Sequence, residues 1–184
     1  VHIGLVGDQD FSPAQFDGIT LFHVLEHMPA PVDSLRRLAE WLKPGGFLAV
    51  EVPNFEARCG HPAHRFHRAH LFHFTPETLT RCGLLAGLEP AEQTASSDEG
   101  VLWSVFRRPE RGAPPAPPAS GGYERLRELE RKRSALKYWL NLDTWRRALQ
   151  RTARMAAERI TSRRYASRQQ ILDEIAGRLR FPHA

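Results

Sequence analysis

The spacing of apolar residues changes along the chain and divides it into elements. Phe16 to Phe22, FDGITLF, predicts a strand. From Val32 to Leu42, the residues Val32, Leu35, Leu38, Ala39 and Leu42 fall on one helical face, with Arg36, Arg37 and Glu40 elsewhere. Lys43-Pro44-Gly45-Gly46 is expected to stop that helix, because Pro and Gly do not easily continue it and Lys suits its negative end. Phe47 to Val52 is a nearly continuous apolar run, the pattern of a parallel strand buried on both faces. Thr75-Pro76-Glu77 combines a capping hydroxyl, a proline at the first helical position and an acid in the first turn. The helix it opens is expected to end near Gly87. Leu88 to Ala95 and Val101 to Arg107 predict two strands around the polar turn Ser96 to Gly100, and Val1 to Val6 is a further strand candidate. This order predicts an α/β domain with a parallel sheet and an antiparallel strand at its end.

After residue 108 the pattern changes. Pro109 to Gly122, PERGAPPAPPASGG, has no apolar period, and its prolines and glycines block helix and sheet alike. It reads as a linker. Beyond it, Leu126, Leu129, Leu136 and Leu140 follow heptad spacing, with Arg133 breaking the seam. Trp145, Leu149, Ala156 and Ile160 predict a second helix, and Ile171, Leu172, Ile175 and Leu179 a third. The expected organisation is therefore an α/β segment over 1–108, a linker over 109–122 and a helical extension over 123–184.

Charge follows the same division. Residues 1–122 hold 10 Lys+Arg against 14 Asp+Glu, a balance of −4, whereas residues 123–184 hold 16 against 7, a balance of +9. A mildly acidic body carries a basic extension, which points to two different tasks. Two cysteines, Cys59 and Cys82, are too few for a disulfide scaffold and fit a reducing, cytoplasmic compartment. The longest apolar runs are too short to span a bilayer, and Val1-His2-Ile3-Gly4 has no secretory pattern. The absence of an initiator Met leads to the expectation that the chain begins inside a longer protein.

Residues 16–54, FDGITLFHVLEHMPAPVDSLRRLAEWLKPGGFLAVEVPN, resemble the middle of the class I S-adenosylmethionine-dependent methyltransferases related to quinone-biosynthetic and lipopolysaccharide-associated enzymes. The resemblance is carried by Phe16-Asp17, by His23-Val24-Leu25-Glu26-His27, by Leu42-Lys43-Pro44-Gly45-Gly46 and by Pro53-Asn54. His70 to Leu79, HLFHFTPETL, matches a following block of that family, so the resemblance covers roughly residues 1–108. It implies a Rossmann-like methyltransferase sheet, S-adenosylmethionine as cofactor, and a small-molecule or glycan- or lipid-linked acceptor. One departure is serious. No G-x-G-x-x-G-like run exists in the chain, and the acid closing the family's second strand is missing. The sheet is therefore expected to be incomplete at its amino-terminal side, starting near the family's third strand. Because ligands in such folds bind where strand order reverses, the chain alone is expected to hold the cofactor weakly or not at all.

The resemblance also implies residue roles. Asp8 and Gln9 would meet the adenine, and Phe22 and His23 would border the methionine part of the cofactor. His27 would face the methyl or the acceptor, as base or hydrogen-bond partner, with His70 and His73 as further catalytic candidates. Asn54 and Arg68 would lie at the acceptor's edge. Each has a plain structural counterpart: a turn aspartate at Asp8, packing at His23 and His27, a turn former at Asn54. Glu26 is expected to fix its loop by hydrogen bonds, and Asp17 to be structural.

His61, His64, His67, His70 and His73 stand three apart, with Cys59 just before. On an α-helix a three-residue step drifts by roughly 60°, so five histidines would not share a face. Pro62 and the helix start at Thr75 favour a loop. The run is read as a pocket rim or plain loop structure, with no metal assigned. Arg65 and Arg68 in the same loop would attract an anionic group. In the basic extension, Arg-rich helices with Trp139 and Trp145 suit a solvated bundle or contact with an anionic membrane surface; no nucleic-acid-binding motif is present. The competing class is a non-catalytic interaction protein, or remnant, whose useful part is the basic extension. A histidine-rich metal-binding protein is a third.

Overall fold

The structure, a computed structural model, describes residues 6–57, 66–96, 99–112, 114–117, 122–132, 139–140 and 142–162, together with 165, 167, 170 and 174. The chain divides into two compact units, Val1–Tyr138 and Trp139–Ala184.

In the first unit a 3-10 turn, Val6–Asp8, precedes β1, Phe16–Phe22. The candidate strand at Val1 to Val6 lies outside the described residues except for Val6, which opens that turn. A second 3-10 turn, Leu25–His27, leads to α1, Pro31–Trp41. There follow β2 (Leu42–Pro53), α2 (Pro76–Leu85), β3 (Glu89–Ala95), β4 (Val101–Arg107) and α3 (Gly122–Lys132). The sheet runs β1-β2-β4-β3. β1 and β2 are parallel, and β4 is antiparallel to both β2 and β3. This is the predicted α/β order with antiparallel strands at one end. At the other end, β1 is an edge strand among the described residues.

Two expectations need correction. Lys43 to Gly46 ends α1 but does not interrupt the sheet. β2 already begins at Leu42, and Leu42 pairs with Phe16 while Phe47 pairs with Gly18. Four residues of β2 therefore stand opposite Asp17 alone, as an irregularity of the ladder. Gly45 supplies the left-handed conformation this needs, with φ of +78°. At Gly46 a side chain would meet the Lys43 and Asp17 carbonyls. Asp17, in turn, is held by Lys43 at 2.7 Å, and this hydrogen bond keeps its carboxyl below the usual range. The second correction concerns β2, which is not buried on both faces. Leu48, Val50 and Val52 are fully buried, whereas Phe47 is exposed and Ala49 and Glu51 are half-buried.

The core lies where α1 and α2 cover the buried face. Leu35 and Leu38 from α1, Leu79 from α2 and Leu102 and Phe106 from β4 meet Leu48, Val50 and Val52. Each fully buried side chain of this kind contributes ~1.5–3 kcal/mol of hydrophobic stabilisation. α2 is set in place by its cap: the Thr75 hydroxyl accepts from the Thr78 amide at 3.1 Å, and the Thr78 hydroxyl accepts from the Thr75 amide at 2.8 Å. α3 is tied to this unit through Arg125, which pairs with Glu56 and lies 3.8 Å from Glu77.

The second unit contains α4, Leu142–Ser162, the predicted second helix of the extension. Trp139 and Trp145 pack at 5.4 Å between ring centroids, and the Trp145 indole donates to the Trp139 carbonyl at 2.9 Å. The third predicted helix, and the part of the heptad pattern at 133–138, lie outside the described residues. No helix among the described residues is long and apolar enough to cross a membrane.

Gly83 of α2 offers a direct test of this packing. A β-carbon there would sit 2.2 Å from the ring of the fully buried Phe106. Gly83→Ala is expected to lower stability by about 1–3 kcal/mol through overpacking, despite alanine's better helix propensity. Thermal or urea denaturation monitored by circular dichroism checks this; an unchanged or raised midpoint would contradict the packing described.

Candidate functional site

Parallel pairing carries the carboxyl ends of β1 and β2 to one place. Phe22 ends β1 opposite Glu51 of β2. The next residue, His23, turns the chain with a left-handed backbone, φ of +53°. For a residue with a β-carbon that conformation is costly and persists only where surrounding bonds hold it. Glu51 supplies them. Its carbonyl accepts the His23 amide at 2.9 Å, and its carboxylate meets His23 Nε2 at 2.8 Å.

The 3-10 turn Leu25–His27 then brings Glu26 inward. Its side chain is 1% exposed, and neither carboxyl oxygen has a hydrogen-bond partner. Two imidazole nitrogens face Oε1: His23 Nδ1 at 3.4 Å and His27 Nε2 at 3.8 Å. Glu26 does fix the following loop by hydrogen bonds, and it does so through its backbone. Its backbone carbonyl accepts from the Leu71 and Phe72 amides at 2.9 and 3.2 Å, while its carboxyl group stays unbonded. A second tie comes from His27, whose Nδ1 lies 2.7 Å from the Ala69 carbonyl. A carbonyl only accepts, so Nδ1 carries the proton there.

The part of the histidine run within the described residues is a loop, as predicted. Its rings form a chain: His27 to His70 at 4.9 Å, His67 to His70 at 4.8 Å and His70 to His73 at 6.1 Å between centroids. Burial pushes the His70 imidazole below its ordinary value; Glu26 opposes this, and His27, His67 and His73 reinforce it. His73 packs between Phe55 and Phe66, and its buried Nε2 has no hydrogen-bond partner. Arg68 is exposed in the same loop. Cys59, His61, His64 and Arg65 lie outside the described residues.

The remaining candidates are placed elsewhere. Asn54 is engaged in a turn: its amide group donates to the Glu99 carbonyl at 3.0 Å, and its side-chain oxygen accepts from the Glu56 amide at 3.0 Å. That is the turn-former geometry. Gln9 lines an open, mainly apolar cavity of about 380 Å³ with Phe11, Phe16, Gly18, Ile19, Leu38 and Trp41. Asp8 is exposed on the 3-10 turn next to it. None of the residues gathered around Glu26 lines that cavity. Phe22 is half exposed and packs on Trp103 of β4 at 5.6 Å. Sequence reasoning missed Glu51, and it named His67 only as part of the histidine run. The only signal for Glu51 was an acid inside an apolar strand.

Residues 4–93 match the family model described as a methyltransferase domain. Those residues belong to the methyltransferase-domain family. No curated protein matches the chain. Among solved structures, a chain of the complex between the Haloferax volcanii Trm112 methyltransferase activator and a methyltransferase is 18% identical, with a TM-score of 0.52. The match covers 59% of this chain and 60% of that one. It shows that the fold is the Rossmann-like one, and the present chain spans about 60% of that neighbour's length. A 1,6-didemethyltoxoflavin-N1-methyltransferase from Burkholderia thailandensis, with S-adenosylhomocysteine bound, gives 20% identity and a TM-score of 0.45 over 56% of this chain and 48% of its own. A Thermotoga maritima methyltransferase gives 15% and 0.48 over 57% and 62%. Within the methyltransferase domain the Glu26 cluster sits beyond the carboxyl ends of the parallel strands, where ligands bind in open α/β sheets.

If Glu51 holds His23 in its left-handed turn, two variants separate strain from bonding. His23→Ala removes the bond and keeps a β-carbon, so it should cost more than His23→Gly, by about 1–2 kcal/mol. Denaturation midpoints of the two variants check this; equal midpoints would show that the turn stores no strain.

Proposed function

We propose that this chain contributes the acceptor side of a site that transfers a methyl group from S-adenosylmethionine. The observation that carries the reading is the gathering of His23, Glu26, His27 and His70 at the carboxyl end of the β1–β2 pair, in a domain of the methyltransferase family. Methyl transfer from a sulfonium is an in-line displacement: the carbon–sulfur bond breaks as the acceptor's lone pair bonds to the methyl. The enzyme's main task is to align the three centres, which can lower a barrier by ~7–11 kcal/mol. A base is needed when the acceptor keeps its proton.

In this reading Phe22 and His23 border the methionine part of the cofactor, and Asp8 and Gln9 approach its adenine. His27 is the base or hydrogen-bond partner of the acceptor, supported by the Ala69 carbonyl on its other nitrogen. His70 and His73 line the acceptor's path, and exposed Arg68 and half-buried Asn54 stand at its rim. The acceptor is a small molecule or a glycan- or lipid-linked group, and the reducing cytoplasm suits the free thiol of Cys82. The Pro-rich stretch 109–122 is our proposed boundary between this domain and the basic extension. His27→Ala is expected to lower kcat by roughly 10²–10⁴ with little change in cofactor affinity. Formation of S-adenosylhomocysteine from labelled cofactor, in the polypeptide that carries this chain, provides the measurement. Neither cofactor binding nor methyl transfer would remove the whole reading; an unchanged kcat in the variant would remove only the role of His27.

A second reading has its own observation. Leu142, Trp145, Leu149 and Ile160 of α4 are 83, 52, 70 and 63% exposed. Their spacing places them along one stripe, with Arg146 and Arg159 at its edges and Arg151 and Arg154 on the other side of the helix. Such a helix suits an anionic membrane surface. Co-sedimentation should show the chain bound to vesicles containing phosphatidylserine and released by salt, with little binding to neutral vesicles. Equal binding to both would set this reading aside.

A further inference from the structure

We propose that Glu26, His27 and His70 form three ligands of a divalent transition-metal site, suited to zinc, with its fourth position open. Their donor atoms, one carboxyl oxygen and two imidazole nitrogens, all lie within 4.8 Å of one another. Four-coordinate zinc with ligands at about 2.1 Å holds its donors about 3.4 Å apart. The Glu26 to His27 separation of 3.8 Å is already close to that, and the His70 donor lies within 4.8 Å of both.

An independent observation points the same way. A carboxyl group that is 1% exposed normally has hydrogen bonds to offset its lost water, and Glu26 has none. The two histidines facing it are held so that neither relieves this when neutral. His27 gives its Nδ1 proton to the Ala69 carbonyl, and His23 presents Nε2 to the Glu51 carboxylate. In the neutral rings both nitrogens facing Glu26 are then lone-pair donors. A cation among them would satisfy Glu26 and His27 together. A ligating histidine whose other nitrogen donates to a backbone carbonyl or carboxylate is the usual supporting arrangement of a metal site. The loop bearing His70 is also preset, through the Leu71 and Phe72 amides bonded to the Glu26 carbonyl itself. One buried acid and two histidines with an open position match the ligand count of sites where zinc binds a water or substrate oxygen.

This departs from the metal-free reading of the histidine run. It also differs from a site made by the run alone, since two of its ligands come from the 3-10 turn after β1. With the ion bound, His27 Nε2 would be a ligand and could not also take the acceptor's proton, so the proposal bears on the role given to His27 above; its test does not use activity. Zinc is titrated into chelator-stripped, tag-free protein against a chromophoric competitor, and cobalt is added separately for its visible d–d bands. The wild-type chain is expected to bind one equivalent with micromolar affinity or better. Glu26→Gln and His70→Asn are each expected to weaken binding at least tenfold and to alter the cobalt spectrum. A combined Cys59→Ser, His61→Ala, His64→Ala variant should retain wild-type affinity. Circular dichroism of the metal-free variants checks folding, and a second substitution, Glu26→Asp, gives the same readout if Glu26→Gln does not fold. No micromolar binding by the wild type, undiminished affinity in folded Glu26 and His70 variants, or loss confined to the triple variant would each overturn the assignment.

Discussion

The parallel ladder between β1 and β2 is the constraint from which the candidate site follows. It places Phe22 opposite Glu51, so the chain leaving β1 turns directly beside a carboxylate. His23 accepts an unfavourable backbone conformation there because Glu51 bonds both its amide and its ring. That turn directs Leu25 and Glu26 into the protein, and both are almost fully buried. Leu25 joins the hydrophobic core. Glu26 is carried in by the same backbone, and its carboxyl group ends up enclosed without a hydrogen bond. Burial of an acid is thus coupled to burial of its apolar neighbour.

Fold and site differ in how far they can be read in one dimension. β1, α1, α2 and the β3–β4 pair each depend on local periodicity or a local cap, and each is visible in the chain. Phe16–Phe22 and Val101–Arg107 occur with their expected bounds. Lys43 to Gly46 was less transparent, because Pro and Gly mark a break in regular backbone without saying whether the sheet also breaks. Here the helix ends and the ladder absorbs the extra residues opposite Asp17.

The site depends on contacts between segments distant in sequence, where periodicity gives no guidance. His27 reaches Ala69, and the Glu26 carbonyl reaches Leu71 and Phe72. Resemblance to a family supplied His23 and His27 as candidates, yet not the pairing of His23 with Glu51. It also suggested a hydrogen-bonding role for Glu26 that belongs to its carbonyl rather than its carboxyl group. A sequence names a residue but not which of its polar groups is used.

The three-residue spacing of the histidines illustrates the same limit from the other side. As a helical pattern it argues against a shared face, and that argument holds only if the histidines must serve one another. In the loop, His70 stands against His27 from a separate element and beside a buried acid from the same turn. Regular spacing within the run is then incidental to its chemistry. What matters is that residues 69–72 are fastened to the turn after β1 by three backbone carbonyl contacts, two at Glu26 and one at Ala69. Those contacts fix His70 at the mouth of the strands whatever its role, so chemistry at this site and order in this loop should be lost together.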